Sequence, residues 1–129
     1  MVNQDDLDNI IAAVRIVQAN LVWKPGSAEQ HLKQRIRRGH LPASATINEY
    51  EAIIQMVVHG RNASVYIFWY DDTPYVSIVD EVDDKQWLVM FALNGVLESA
   101  YIVERPDQYL SKVGFEYVDL LAKVMLHDD

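Results

Sequence analysis

Gln86–Val103 reads Q-W-L-V-M-F-A-L-N-G-V-L-E-S-A-Y-I-V. Two runs of β-branched, aromatic and aliphatic residues flank Asn94-Gly95, the strongest short hairpin signal a sequence can carry. Pairing Leu93 with Val96 and stepping outward puts Met90 opposite Ser99 and Leu88 opposite Tyr101 on one face, with Phe91 opposite Glu98 on the other. Upstream, Ser64–Tyr70 (S-V-Y-I-F-W-Y) and Pro74–Val79 (P-Y-V-S-I-V) have the same composition. Asp71-Asp72-Thr73-Pro74 and Asp83-Asp84-Lys85 supply the intervening turns. Four strands with such short connections predict an antiparallel meander.

Outside this block the hydrophobic period becomes helical. Leu7, Ile10, Ile11, Val14, Val17 and Leu21 mark a helix over residues 5 to 21, with Asp5, Asp6 and Asp8 at its positive end. Pro25-Gly26 breaks the chain, Ser27 and Gln30 have capping-box spacing, and a second helix is predicted over 28 to 38, stopping at Gly39. Thr46 and Glu49 form another capping box before Tyr50, Ile53, Ile54, Val57 and Val58, the stripe of a third helix over 47 to 59. After Arg105-Pro106-Asp107, a closing amphipathic helix is expected to carry Tyr109, Leu110, Tyr117, Leu120, Leu121 and Val124, with Gly114 as a break. The whole chain, residues 1–129, thus reads as a single α+β domain: N-terminal helices packed on a four-stranded antiparallel meander, closed by a C-terminal helix.

Composition narrows the function classes. The 129 residues are 50% hydrophobic with no cysteine, which suits a core needing no covalent staples and removes disulfides, thiolate metal sites and a cysteine nucleophile. Asp5, Asp6 and Asp8 stand where a secretory signal would be basic and then apolar, so a cytoplasmic location is expected. No apolar run approaches the roughly 20 residues that span a bilayer, and no membrane partner is expected. Nucleotide-loop, zinc-protease and nucleophile-elbow motifs are all missing, so no metal site and no cofactor are predicted. The acidic run Asp80–Asp84 lacks the spacing and glycine of a calcium loop and reads as a solvated hairpin.

Formal net charge is −8, yet residues 1–62 carry seven Lys/Arg against six acids, whereas residues 63–129 carry four against thirteen. Five of the eleven bases lie between Lys24 and Arg38. General adhesion to nucleic acid is disfavoured by this balance, and a polyanion such as RNA would have to bind at that local patch. At about 100° per residue, His31, Arg35 and Arg38 share one arc of the second helix, while Leu32 and Ile36 point elsewhere. That is the equipment of metal-independent RNA cleavage: His31 as base or acid, and Arg35 and Arg38 stabilising charge on the phosphoryl group. Lys33 and Arg37 extend the basic patch, and His40 follows the helix stop, where a loop residue can be aimed into a cleft. Ser99 and Tyr101, on one sheet face, offer hydroxyls to a phosphate or a base edge, and Arg105 beyond the strand can reach the same place. Each has a plainer explanation: cations at a helix C-terminus complement its dipole, and Ser and Tyr suit half-exposed strand positions.

Helices ending in H-L-K-Q-R-I-R-R-G-H, then a meander ending L-N-G-V-L-E-S-A-Y-I-V, then Q-Y-L, resemble the barnase/EndoU/colicin/RelE-like ribonuclease superfamily over roughly residues 28 to 110. The resemblance implies metal-independent RNA cleavage on a sheet face beside a helix. His31 and Arg35 resemble its basic helix positions, and Ser99 and Tyr101 its polar positions on the late strand. The acidity of this chain departs from such toxins. It equally suits a non-enzymatic interaction module of immunity-protein or antitoxin type, whose acidic sheet half meets a basic protein partner.

Overall fold

The computed structural model describes residues 2–127. Helix α1 (Gln4–Ala19) begins at Asn3, whose side chain accepts from the Asp6 amide while Asp6 accepts from the Asn3 amide, a complete capping box. A two-residue strand β1 (Val22–Trp23) follows, then α2 (Ser27–Arg37) and α3 (Ile47–Val58). Thr46 and Glu49 close the expected capping box on α3. The box expected at Ser27 does not form: α2 starts from Gly26 in the left-handed region (φ 77°), and the Ser27 hydroxyl donates to the Lys24 carbonyl.

The sheet comprises β1, β2 (Ser64–Tyr70), β3 (Thr73–Val82), β4 (Lys85–Ala92), β5 (Val96–Ile102) and β6 (Phe115–Leu120), in the order β1-β5-β4-β3-β2-β6. Strands β2 to β5 form the antiparallel meander, but the sheet is larger and mixed: β1 pairs parallel to β5, and β6 antiparallel to β2. The fold is α+β, and the four-stranded description is corrected to six strands among the described residues. Asp83 and Asp84, both at positive φ (51° and 64°), make the tight β3–β4 turn.

The closing helix is also corrected. Pro106–Tyr109 makes one helical turn (α4), Gly114 sits at φ 109°, and F-E-Y-V-D-L then runs extended as β6 before a short helix α5 (Leu121–Met125). The apolar residues from Tyr109 to Val124 fit a helical stripe, but pairing along β2 completes the sheet and wins.

Register at the Asn94-Gly95 hairpin decides which face each side chain of β5 takes. Met90 pairs with Ser99 and Leu88 with Tyr101 as expected, but Phe91 pairs with Leu97, because a bulge intervenes at Glu98. The loop is three residues long with Gly95 at φ 86°, the type that carries such a bulge. The extra residue lets Leu97 and Ala100 both enter the main core, where α1 and α3 cover Val65, Ile67, Val76, Ile78, Trp87, Val89 and Phe91. Ser99, Tyr101 and Val103 turn to the opposite face. There Val79, Leu88, Met90 and Val103 form a second, smaller core under Tyr109, Leu110 and Phe115.

Because β1 covers only Val96 and Leu97, the remaining edge of β5 is closed by side chains. The hydroxyl of fully buried Tyr50 donates to the Ala100 carbonyl, and His40 Nδ1 accepts from the Ile102 amide at 3.2 Å. Removing the hydroxyl alone leaves a buried carbonyl without a partner. Tyr50→Phe is expected to lower unfolding free energy by about 1–3 kcal/mol, measured by urea denaturation, with an unchanged dependence on denaturant.

Candidate anion-binding cleft

Helix α2 ends on a Schellman motif: the Gly39 amide donates to the Ile36 carbonyl at 3.0 Å, and the His40 amide to the Arg35 carbonyl at 2.8 Å. Gly39 supplies the positive φ (76°) this requires. The consequence is positional, since residue 40 folds back onto residue 35. Arg35 Nη1 lies 3.2 Å from His40 Nδ1, and the Arg35 guanidinium carbon lies 5.5 Å from the centre of the Tyr101 ring.

These residues line a cleft of about 730 Å³, walled by α2 and its cap, by the end of β5, and by the segment from Val103 to Lys112. Arg35, Arg38, His40, Ser99, Tyr101 and Arg105, all candidates from the sequence, meet here. Lys33 and Arg37 do not; both are exposed on α2, and Arg37 donates to Gln34. His31 lies one helical turn before Arg35, outside the lining, stacked on Trp23 with ring centroids 5.4 Å apart. Sequence reasoning missed Glu104, Gln108, Tyr109 and Lys112. Their signal was available in the short spacing from Arg105, but it was hidden by reading the segment as the first turns of a long amphipathic helix.

Charge is the cleft's main property. Its lining holds Arg35, Arg38, Arg105 and Lys112 against one carboxylate, Glu104, in a chain of net charge −8. Arg35 is only 7% exposed and its Nε has no hydrogen-bond partner. Among the described residues, no carboxylate pairs with any of these four cations. Burial, more than its neighbours, pulls the Arg35 pKa below its ordinary value. A nearly buried, unpaired guanidinium at the wall of an open cleft has an unmet requirement for an anion.

The two histidines differ in what they can do. His40 Nδ1 faces two groups that can only donate, the Ile102 amide and the Arg35 guanidinium, so its lone pair is occupied and the ring proton sits on Nε2. Burial, then Arg35 and Arg38, lower its pKa. His31 has no hydrogen bond on either ring nitrogen among the described residues, and burial followed by Arg35 lowers its pKa as well. Both rings are therefore neutral at pH 7. Only His31 has a lone pair free to take a proton.

No family model matches the chain, and neither a curated protein nor a solved structure matches it. No helix among the described residues is long and apolar enough to cross a membrane.

Because both folded-state histidine pKa values lie below 6.5, the unfolded chain takes up protons first as the medium acidifies. The contribution of these rings to stability is complete above pH 6.5 and is lost as pH falls through their folded values. NMR titration should give midpoints below 6.5 for both His31 and His40, with the nitrogen shifts of His40 reporting the Nε2–H tautomer. Midpoints at or above 6.5 would contradict this packing.

Proposed function

We propose that the cleft binds the phosphodiester backbone of single-stranded RNA and that the protein is a metal-independent endoribonuclease. The observation that carries the reading is Arg35, nearly buried beside Tyr101 and His40 with no carboxylate to neutralise it. The chain's likeness to the barnase/EndoU/colicin/RelE-like pattern points the same way. A phosphate oxygen seated on Arg35 and Arg38 would find fixed positive charge in a partly desolvated wall, where charge developing on the phosphoryl group is best stabilised. His31, neutral and with free nitrogens, takes the 2′-hydroxyl proton as the 2′-oxygen attacks phosphorus. The bond to the leaving 5′-oxygen then breaks as that oxygen takes a proton from a solvent water, and the hydroxide left is neutralised by the proton His31 carries, which returns the ring to its neutral form. His40, its Nδ1 lone pair already engaged, positions Arg35 and does not act as the base. The attacked phosphate sits on the His31 side of Arg35, one helical turn away at i,i+4 spacing, so that its neighbouring 2′-hydroxyl comes within reach of His31.

The protein-interaction reading draws on a different place: Asp80, Glu81 and Asp107 line a hollow with no cationic side chain among the described residues, and a basic partner would dock there. That hollow has no counterpart to the nearly buried guanidinium of Arg35, and the RNA reading is therefore taken first.

Purified protein is expected to cleave single-stranded RNA in excess chelator, leave DNA intact for want of a 2′-hydroxyl, and produce 2′,3′-cyclic phosphate ends. The rate should rise with pH through the lowered His31 value and level off by pH 7, because the base must be unprotonated. His31→Ala should cost about 10² in rate, and Arg38→Gln, at an exposed position, should reduce turnover without lowering the melting temperature. Absence of cleavage from pH 5 to 8, or full activity of His31→Ala, would overturn the catalytic assignment.

A further inference from the structure

Two cation–aromatic units face the cleft from different parts of the chain. The Arg35 guanidinium carbon lies 5.5 Å from the Tyr101 ring centre, and Lys112 Nζ lies 4.7 Å from the Tyr109 ring centre. The rings stand edge to face with centroids 6.0 Å apart, and their hydroxyls hydrogen-bond to each other. Arg35 belongs to helix α2, whereas Lys112 belongs to the turn after α4. The tyrosine pair ties the two charges to one framework. Their separation can be no greater than those three legs laid end to end, and both line the same cleft.

We propose that this cleft is a two-phosphate site, taking a nucleoside unit phosphorylated on both its 3′ and 5′ sides, with one phosphate on Arg35 and the other on Lys112. The proposal rests on the anion-binding reading above and specifies its ligand. Charge supports it: four cations and one carboxylate in the lining leave a surplus that a single diester, with one negative charge, does not meet. Geometry supports it too. Each ring takes a cation against its face, which biases where that cation sits, and the hydroxyl bond fixes one ring against the other. Neither cation is neutralised by a carboxylate among the described residues, so each retains donors for a phosphate oxygen. Tyr101 and Tyr109 serve here as spacers, their faces and hydroxyls already engaged, rather than as a platform for stacking bases. Substrate choice by this cleft then depends on the spacing of phosphates along a strand, and isolated monophosphates are poor ligands.

The test is titration calorimetry of the full chain with adenosine 3′,5′-bisphosphate, adenosine 3′-monophosphate and adenosine 5′-monophosphate at low salt. The bisphosphate should bind at least about tenfold more tightly than either monophosphate, the scale of one added charge-assisted contact. Lys112 is exposed, so Lys112→Gln should keep the melting temperature and reduce that advantage to about twofold or less, the level of a lost charge contact. Comparable affinity for all three probes in the wild type, or an undiminished advantage in Lys112→Gln, would overturn the two-phosphate assignment while leaving an anion site at Arg35. Failure of every probe to bind would overturn that site as well.

Discussion

The free edge of β5 is the constraint on which the rest of the arrangement depends. A sheet edge exposes unpaired amides and carbonyls, and proteins cover such edges or blunt them. Here β1 covers two residues and stops, and the helical layer does the remainder with single side chains: Tyr50 from α3 on the Ala100 carbonyl, His40 from the cap of α2 on the Ile102 amide. Once His40 is committed to that edge, the Schellman cap ties Arg35 to it, since the His40 amide donates to the Arg35 carbonyl. The position of the guanidinium is thus a consequence of how the sheet is closed. The Glu98 bulge acts on the same strand, turning Ser99 and Tyr101 toward the cleft while keeping Leu97 and Ala100 in the main core.

Holding Arg35 in this way is costly. Taking one unpaired charge out of water costs several kcal/mol, while a desolvated cation–π contact returns about 2 kcal/mol and one charge-assisted hydrogen bond about 1.5–3 kcal/mol. The contacts from Tyr101 and His40 therefore offset part of the penalty, and Nε has no partner to offset the rest. A residue that is expensive for the fold and aimed at an open cleft is best understood through what the cleft takes up.

Features decided within a few residues are legible in the amino-acid sequence. The capping box at Thr46, the stop at Gly39 and the Asn94-Gly95 hairpin are local chemistry of this kind; the first two appear where the sequence places them, while the hairpin gains a third loop residue and a bulge at Glu98 yet keeps Ser99 and Tyr101 in the expected register. Arg35, Arg38, His40, Ser99, Tyr101 and Arg105 converge because two of those local features, the α2 stop and the hairpin register, aim them. What is not legible depends on distant partners. A two-residue strand has no pattern of its own, and β1 exists only because β5 lies beside it. Phe115–Leu120 alternates only imperfectly, with Tyr117 and Val118 adjacent where the pairing to β2 shifts register, and its apolar residues also fit a helical stripe with Leu121 and Val124; the free edge of β2 decides the matter. The helical reading of that segment conceals Tyr109 and Lys112.

That segment has two duties at once. Tyr109, Leu110 and Phe115 roof the second core, while Arg105, Tyr109 and Lys112 wall the cleft, so the same dozen residues are held by apolar packing on one side and present charge on the other. Tyr109 belongs to both sets. Its ring packs 5.5 Å from Phe115, and its hydroxyl bonds to Tyr101, which in turn faces Arg35. Burial raises the Tyr101 pKa and the hydroxyl bond to Tyr109 raises it further, so Tyr101 stays neutral through the physiological range. A neutral Tyr101 adds no charge to compete for the guanidinium beside it. The ring that faces Arg35 therefore carries the same charge throughout the physiological range, whereas the two groups that titrate below it stand on either side of Arg35: His40 in the cleft wall, holding the guanidinium, and His31 one turn away outside the lining.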